Sequence, residues 1–291
     1  SRIHANGSGN QGFQMLDASS ATYNDIQGCD NADETFSMHQ GTAVINGIIS
    51  SHSTDSASSC VNIIAQTGNT SLTMSDCNCK DFKGNGIWAT QPTGGTITLN
   101  MNRFIVDGSS STDDPVDIES SGYVANGLIF NIPASPKYGL VIRTGVAVIL
   151  NNLTISDAGG GSDGNGIYAI PALTSYNVII DSVNYATGKS TAVVAWNAYN
   201  HCTYNYATKH TGLGVVTYTD EITTNPIFVD SANNDFRLNW DSPCIDTGYN
   251  TGNYTLSVDL TGTSQYLDRY WDVGGKRYRG RKAVPTRSSV P

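Results

Sequence analysis

One short pattern recurs along this chain and leaves few folds open to it: an apolar residue, then Asn, Ser or Asp, then any residue, then an apolar one. Tyr23-Asn24-Asp25-Ile26, Ile45-Asn46-Gly47-Ile48 and Leu150-Asn151-Asn152-Leu153 are examples. The polar member stands at Asn24, Asn46, Ser75, Asn102, Asn126, Asn151, Asp181 and Asn200, so seven steps cross 200 − 24 = 176 positions, a mean near 25. A period of that size marks a stacked, solenoidal chain. The flanks alternate with period two, as strands do: Leu99 and Met101 precede Asn102, and Phe104 and Val106 follow it. The apolar phase breaks at one residue because Asn tolerates the left-handed backbone region that turns a strand sharply. Stacked Asn side chains can then hydrogen-bond from coil to coil, giving a ladder at the eight positions.

Each coil should carry a further strand upstream of the bend, making three strands per coil joined by one tight Asn bend and two looser turns. Gly84-Asn85-Gly86-Ile87-Trp88-Ala89 and Gly164-Asn165-Gly166-Ile167-Tyr168-Ala169 are nearly the same hexapeptide, with Val116-Asp117-Ile118-Glu119 and Leu140-Val141-Ile142-Arg143 between them. The expected fold is all-β: a right-handed parallel β-helix of about eight coils over residues 1–215. Helices are disfavoured by frequent Gly and β-branched residues and by the lack of a 3.6-residue period. An antiparallel sandwich would explain the turns but not eight recurrences of one bend.

Composition narrows the setting. Lys and Arg number 16 against 25 Asp and Glu, a net charge of −9. That is the wrong sign for nucleic acid, which selects a basic face, and no apolar run approaches the ~20 residues that cross a bilayer. The chain opens at Ser1 without Met or signal peptide, as a processed product or part of a longer one does. Cysteines stand at 29, 60, 77, 79, 202 and 244. Cys77 and Cys79 fall on core positions, and buried free thiols are expected of the set, with disulfides the alternative. Asn6, Asn69, Asn152 and Asn253 head glycosylation sequons, a number expected by chance in an Asn-, Ser- and Thr-rich chain.

After Asn200 the pattern stops. A parallel solenoid must protect its open end, and residues 216–275 are expected to form a capping segment, with 276–291 a basic tail. Asn225 to Asp230, Asp235 to Leu238 and Ser242 to Gly248 resemble the segment that closes many secreted bacterial right-handed β-helix repeat proteins and related phage proteins. The Asn-bend coils resemble the pectate-lyase-like superfamily. Trp271-Asp272-Val273-Gly274-Gly275 echoes that family's ending loosely. The resemblance implies an extracellular, cell-surface or virion setting and no single function, since members include surface proteins, virion fibres and polysaccharide-degrading enzymes. Lys276-Arg277-Tyr278-Arg279-Gly280-Arg281-Lys282 reads either as a solvated tail or as a strap onto an acidic neighbouring subunit.

Aligning the four upstream strands puts Trp88, Asp117, Val141 and Tyr168 on the outward face, with Thr90, Glu119, Arg143 and Ile170 outward two residues on. Trp88, Asp117, Glu119, Arg143 and Tyr168 form the candidate ligand patch. Aromatic faces stack on sugar rings, and Arg143 suits a sugar carboxylate. Asp117 and Glu119 lie ~6.5–7 Å apart along one strand, suited to flanking a glycosidic bond. Glu119 and Arg143 also fit a simple ion pair between adjacent coils. The Gly-His-Gly and Arg-Ile-Lys of polygalacturonase-like enzymes are absent. The paired Asp113 and Asp114 read as a turn, and the calcium and arginine set of pectate lyases cannot be assembled. No cofactor or metal is expected beyond weak calcium binding at Asp157 to Gly166, and His201 is expected to be exposed just after a bend. The primary reading is a non-catalytic structural or adhesive component of a surface layer, filament or virion, whose partners are polysaccharide or neighbouring subunits. A polysaccharide hydrolase or lyase acting through Asp117 and Glu119 is the alternative, and a pure carbohydrate-binding module a third.

Overall fold

The computed structural model describes residues 3–6, 12–16, 18–31, 34–53, 59–65, 68–92, 94–134, 137–144, 148–157, 164–189, 195–212, 214–245 and 247–249. These form an all-β parallel solenoid whose only helical pieces are two short 3-10 turns, Gly108–Ser110 and Ser231–Asn233.

Two columns of strands make the walls. In the first, Phe13–Met15, Phe36–Met38, Val61–Ile64, Ile87–Thr90, Val116–Glu119, Tyr138–Thr144 and Asn165–Ala169 stack in parallel register. In the second, Ala18–Asn31, Gly41–Ser53, Asn69–Cys79, Thr96–Asp107, Ser121–Phe130, Val148–Ser156 and Leu173–Lys189 do the same. There are about six turns rather than eight.

A residue of positive φ creases each second-column strand at one matching place, which recurs at Asn200, and Leu173–Lys189 carries a further one at Ser182. The creases fall at Asp25, Gly47, Asp76, Arg103, Asn126, Asn152, Asn177 and Asn200. In the early turns the left-handed residue therefore follows Asn24, Asn46, Ser75 and Asn102 rather than being them, and the same holds for Asn151. At two places, Asn126 and Asn200, the motif Asn takes the left-handed role itself. Asp181 belongs to a different corner: Asn177 makes the bend that stacks on Asn152, while Asp181 precedes a second left-handed residue, Ser182, whose Oγ accepts from Asn205 Nδ2 at 3.0 Å.

The ladder still forms, with a changed membership. Asn46 Nδ2 donates to Asn24 Oδ1 at 3.0 Å, and Ser75 Oγ to Asn46 Oδ1 at 3.1 Å. Asn126 donates to Asn102 at 2.6 Å, Asn152 to Asn126 at 3.0 Å and Asn177 to Asn151 at 3.2 Å. Between Asp76 and Arg103 the rungs are joined instead by a forked ion pair, 2.7 and 2.6 Å.

This one-residue change of frame decides what faces the lumen. Where Asn is left-handed, the next residue points in: Gly127 stacks on Phe104, and His201 is wholly buried. The expected exposed His201 is thus a lumen residue. Its Nε2 lies 2.7 Å from Ser175 Oγ, which also accepts from Trp196 Nε1 at 2.7 Å. Desolvation drives the His201 pKa down to about 3. Most of the lumen is apolar, including Met74, Met101, Phe104, Leu150 and Ile180.

The same frame points Leu128, Phe130 and Cys202 outward, where water would meet them. Residues 222–249 cover them. Ile222 bridges to Cys202 in parallel, and Phe228–Asp230 pairs antiparallel with Asp235–Leu238. Phe236 packs on Phe130 and Leu128, with ring centroids of Phe130 and Phe236 5.5 Å apart. Leu238 and Cys244 pack on Ile179 and Cys202. Asn177 fixes the far end through a pair of bonds with the Tyr249 backbone. Among the described residues the segment expected to cap the open end is a strap along the flank. Coil stacking also runs past the expected boundary at 215, since Val216–Thr219 pairs on Trp196–Tyr199. Residues 251–291, with the echoed Trp271 ending and the basic tail, lie outside the described residues.

Candidate functional site

The first-column register sets Trp88 beside Asp117, Asp117 beside Val141, and Val141 beside Tyr168. Their inward neighbours Ile87, Val116, Leu140 and Ile167 are wholly buried, so the four outward side chains stand in one row across successive turns. Trp88 and Tyr168 are half-buried. Tyr138, which the sequence does not single out, lies 5.1 Å from Tyr168 between ring centroids and widens the aromatic surface.

The charged residues depart from simple alignment. Glu119 pairs with Thr144, because the register shifts after Ile118 and leaves Arg143 as an extra residue. The bulge re-aims Arg143, as bulges do, and its guanidinium turns back to Asp117. Nε lies 2.8 Å from both carboxylate oxygens and Nη2 2.6 Å from Oδ2. Arg143 thus pairs with Asp117 rather than Glu119, with Asp114 at 3.6 Å on its far side. Lys137 holds Asp113 at 2.6 Å. Glu119 is turned to the preceding turn: Oε2 accepts from Gln91 N at 2.8 Å and Thr90 Oγ1 at 3.2 Å.

Asp117 is 5% exposed. Burial pushes its pKa above the usual carboxylate value, and the hydrogen bonds from Arg143 offset that only in part. Burial likewise raises Asp114, against a backbone hydrogen bond from Tyr138. Both carboxyls are set into the wall. Asp113 and Asp114, expected as a bare turn, belong to this charge network. Their sequence signal was Lys137 at the matching place one turn on.

Asp157, in the stretch considered for calcium, is wholly buried. Its carboxylate accepts from Ile132 N and Gly164 N, both at 3.0 Å, so it serves the backbone between turns. The sulfurs of Cys60, Cys77 and Cys79 lie within 4.8 Å of one another. Cys60 and Cys79 form a disulfide, which departs from the expected set of free thiols and withdraws two of the three sulfurs as metal ligands. Cys77 remains a thiol 3.5 Å from Cys79 Sγ, pushed up to about 12 by burial. Cys202 and Cys244 are also free thiols.

Comparison with known proteins returns no match: no family model fits the chain, and no curated protein or solved structure is significantly similar to it.

Proposed function

We propose that this chain is a non-catalytic structural or adhesive β-helix of an extracellular surface, filament or virion, and that its outward row around Trp88 and Tyr168 contacts glycans. One observation carries the reading: neither candidate carboxylate is free for acid–base work. Asp117 is clamped by Arg143, and Glu119 is spent on Gln91 and Thr90. A glycosidase needs two carboxyls reaching across the scissile bond, one with a transferable proton. Here both act as mortar between turns. Aromatic faces without working acids describe a binding surface. The Cys60–Cys79 disulfide suits an oxidising, extracellular compartment.

One feature favours the alternative hydrolase or lyase. Asp114 and Asp117 are adjacent carboxyls raised by burial, a property of general acids. A glycan array with product analysis separates the two. Binding without released oligosaccharide, lost on Trp88→Ala and kept on Glu119→Gln, is the expected result. Oligosaccharide release abolished by Asp117→Asn would replace the adhesive reading with the enzymatic one.

A further inference from the structure

Cys202 and Cys244 lie 42 residues apart in sequence (244 − 202). One is on a solenoid strand and the other on the strap. Both are wholly buried in one apolar cluster with Ile179 and Leu238, and the Cys244 thiol is the hydrogen-bond partner of Cys202. No other described contact brings a reactive group of the strap against one of the wall. Cys202 Sγ faces the Thr224 carbonyl at 3.5 Å, and Asp181 and Glu221 are the charges around it. Nothing in the ligand row or the lumen uses either thiol.

We propose that Cys202 and Cys244 are a cross-linking site that latches the strap covalently to the solenoid flank. The reaction is thiol–disulfide exchange with a low-molecular-weight disulfide such as glutathione disulfide. One cysteine thiolate attacks the oxidant, forming a mixed disulfide and releasing one glutathione thiolate. The second cysteine attacks the mixed disulfide, forming the Cys202–Cys244 bond and releasing the second glutathione. Two cysteine thiols lose two electrons and two protons, and one glutathione disulfide becomes two glutathiones.

The closed strap controls this chemistry. The neighbouring Cys244, then burial, then the charges of Asp181 and Glu221 raise the Cys202 pKa far above its usual value, which leaves almost no attacking thiolate while the strap is seated. Exchange therefore starts when the strap lifts by local opening, and it ends with the strap unable to lift again. The disulfide already present at Cys60–Cys79 lies in the N-terminal half and does not reach the strap.

The test uses the full chain equilibrated in glutathione buffers of graded oxidised-to-reduced ratio, then alkylated under denaturing conditions and mapped by peptide mass. The expected result is a linked pair of peptides carrying Cys202 and Cys244 at oxidising ratios, with alkylation of native Cys202 at least about tenfold slower than in the unfolded chain. Trypsin supplies a second readout, since Arg237 is exposed on the strap between the two cysteines. In the oxidised protein, cleavage there is expected to slow at least about fivefold and to leave the fragments joined until reductant is added. Cys244→Ser is expected to remove the redox dependence of that cleavage. Both thiols alkylated while Cys60–Cys79 stays linked, a stable glutathione adduct on either, or a link from either to another cysteine would overturn the proposal. So would redox-dependent protection that survives in Cys244→Ser. Should that variant fail to fold, the peptide map of the unaltered chain still decides.

Discussion

Lowering the pH should set two buried groups of this solenoid against each other. His201 is wholly enclosed in the lumen and titrates at about 3 against an ordinary 6.5. A depressed folded pKa means its contribution is complete above 6.5 and drains away as pH falls toward 3. Asp181 is buried on the flank and titrates at about 6 against an ordinary 3.8. Its raised pKa means the opposite: its contribution is complete below 3.8 and is lost as pH rises through 6. A proton bound by one state and not the other is worth about 1.36 kcal/mol for each pH unit crossed. Between pH 7.5 and 5, His201 alone therefore removes about 2 kcal/mol and Asp181 alone restores about 1.4 kcal/mol. The unaltered protein should vary by less than about 1 kcal/mol over that range from these two groups. Asp181→Asn should unmask the His201 contribution and lose about 2 kcal/mol on acidification. His201→Gln should unmask the Asp181 contribution and gain stability as pH falls. Urea unfolding followed by far-ultraviolet circular dichroism at half-unit pH steps measures each curve. If Asp181→Asn keeps the pH profile of the unaltered chain, Asp181 is not ionising in a buried site. If His201→Gln loses stability on acidification as steeply as Asp181→Asn, the lumenal histidine is not the source of the acid sensitivity.

Phe236 fixes the strap on Leu128 and Phe130, so Phe236→Ala should cost about 3 kcal/mol in urea unfolding and speed tryptic cleavage at Arg237. Cleavage unchanged from the unaltered chain would mean that the strap is held elsewhere. A Cβ on Gly127 would sit 2.1 Å from Phe104 Cζ, so Gly127→Ala should destabilise by about 2 kcal/mol. Adding Phe104→Leu should recover part of that, and strict additivity of the two variants would deny the contact. Arg143→Ala should cost only about 1 kcal/mol, since the Arg143 side chain is 44% exposed and solvent screens the pair. A much larger loss would show that Asp117 cannot tolerate standing alone.

Much of the fold is legible in the sequence because a solenoid writes its period into the chain. Bend spacing and alternation located both strand columns, and matching hexapeptides aligned Trp88 with Tyr168 across two intervening turns. What the pattern hid was the frame. Asn24-Asp25 and Asn200-His201 look alike, yet the left-handed residue is the second in one and the first in the other, because either Asn or its successor can take that conformation. The choice sends His201 inward and Cys202 outward. A signal for it was present: Leu128-Ile129-Phe130 and Val178-Ile179-Ile180 are unbroken apolar runs, the mark of strands buried on both faces. They announce a covering layer that alternation alone does not. The Arg143 bulge has no comparable signal, so the Asp117 pairing was visible only in three dimensions.

A stack of turns in which each touches only its neighbours unfolds like a zipper, fraying from its ends, and no turn learns of damage several turns away. The strap of residues 222–249 changes that arithmetic. It ties the turn of Cys202 to that of Leu128, so the last turns cannot peel away without uncovering Phe130 and Ile179 in turns that are themselves intact. The C-terminal half should accordingly open as one block, with amide exchange at Leu128 and at Cys202 sharing a single opening free energy, while the N-terminal turns exchange by graded fraying.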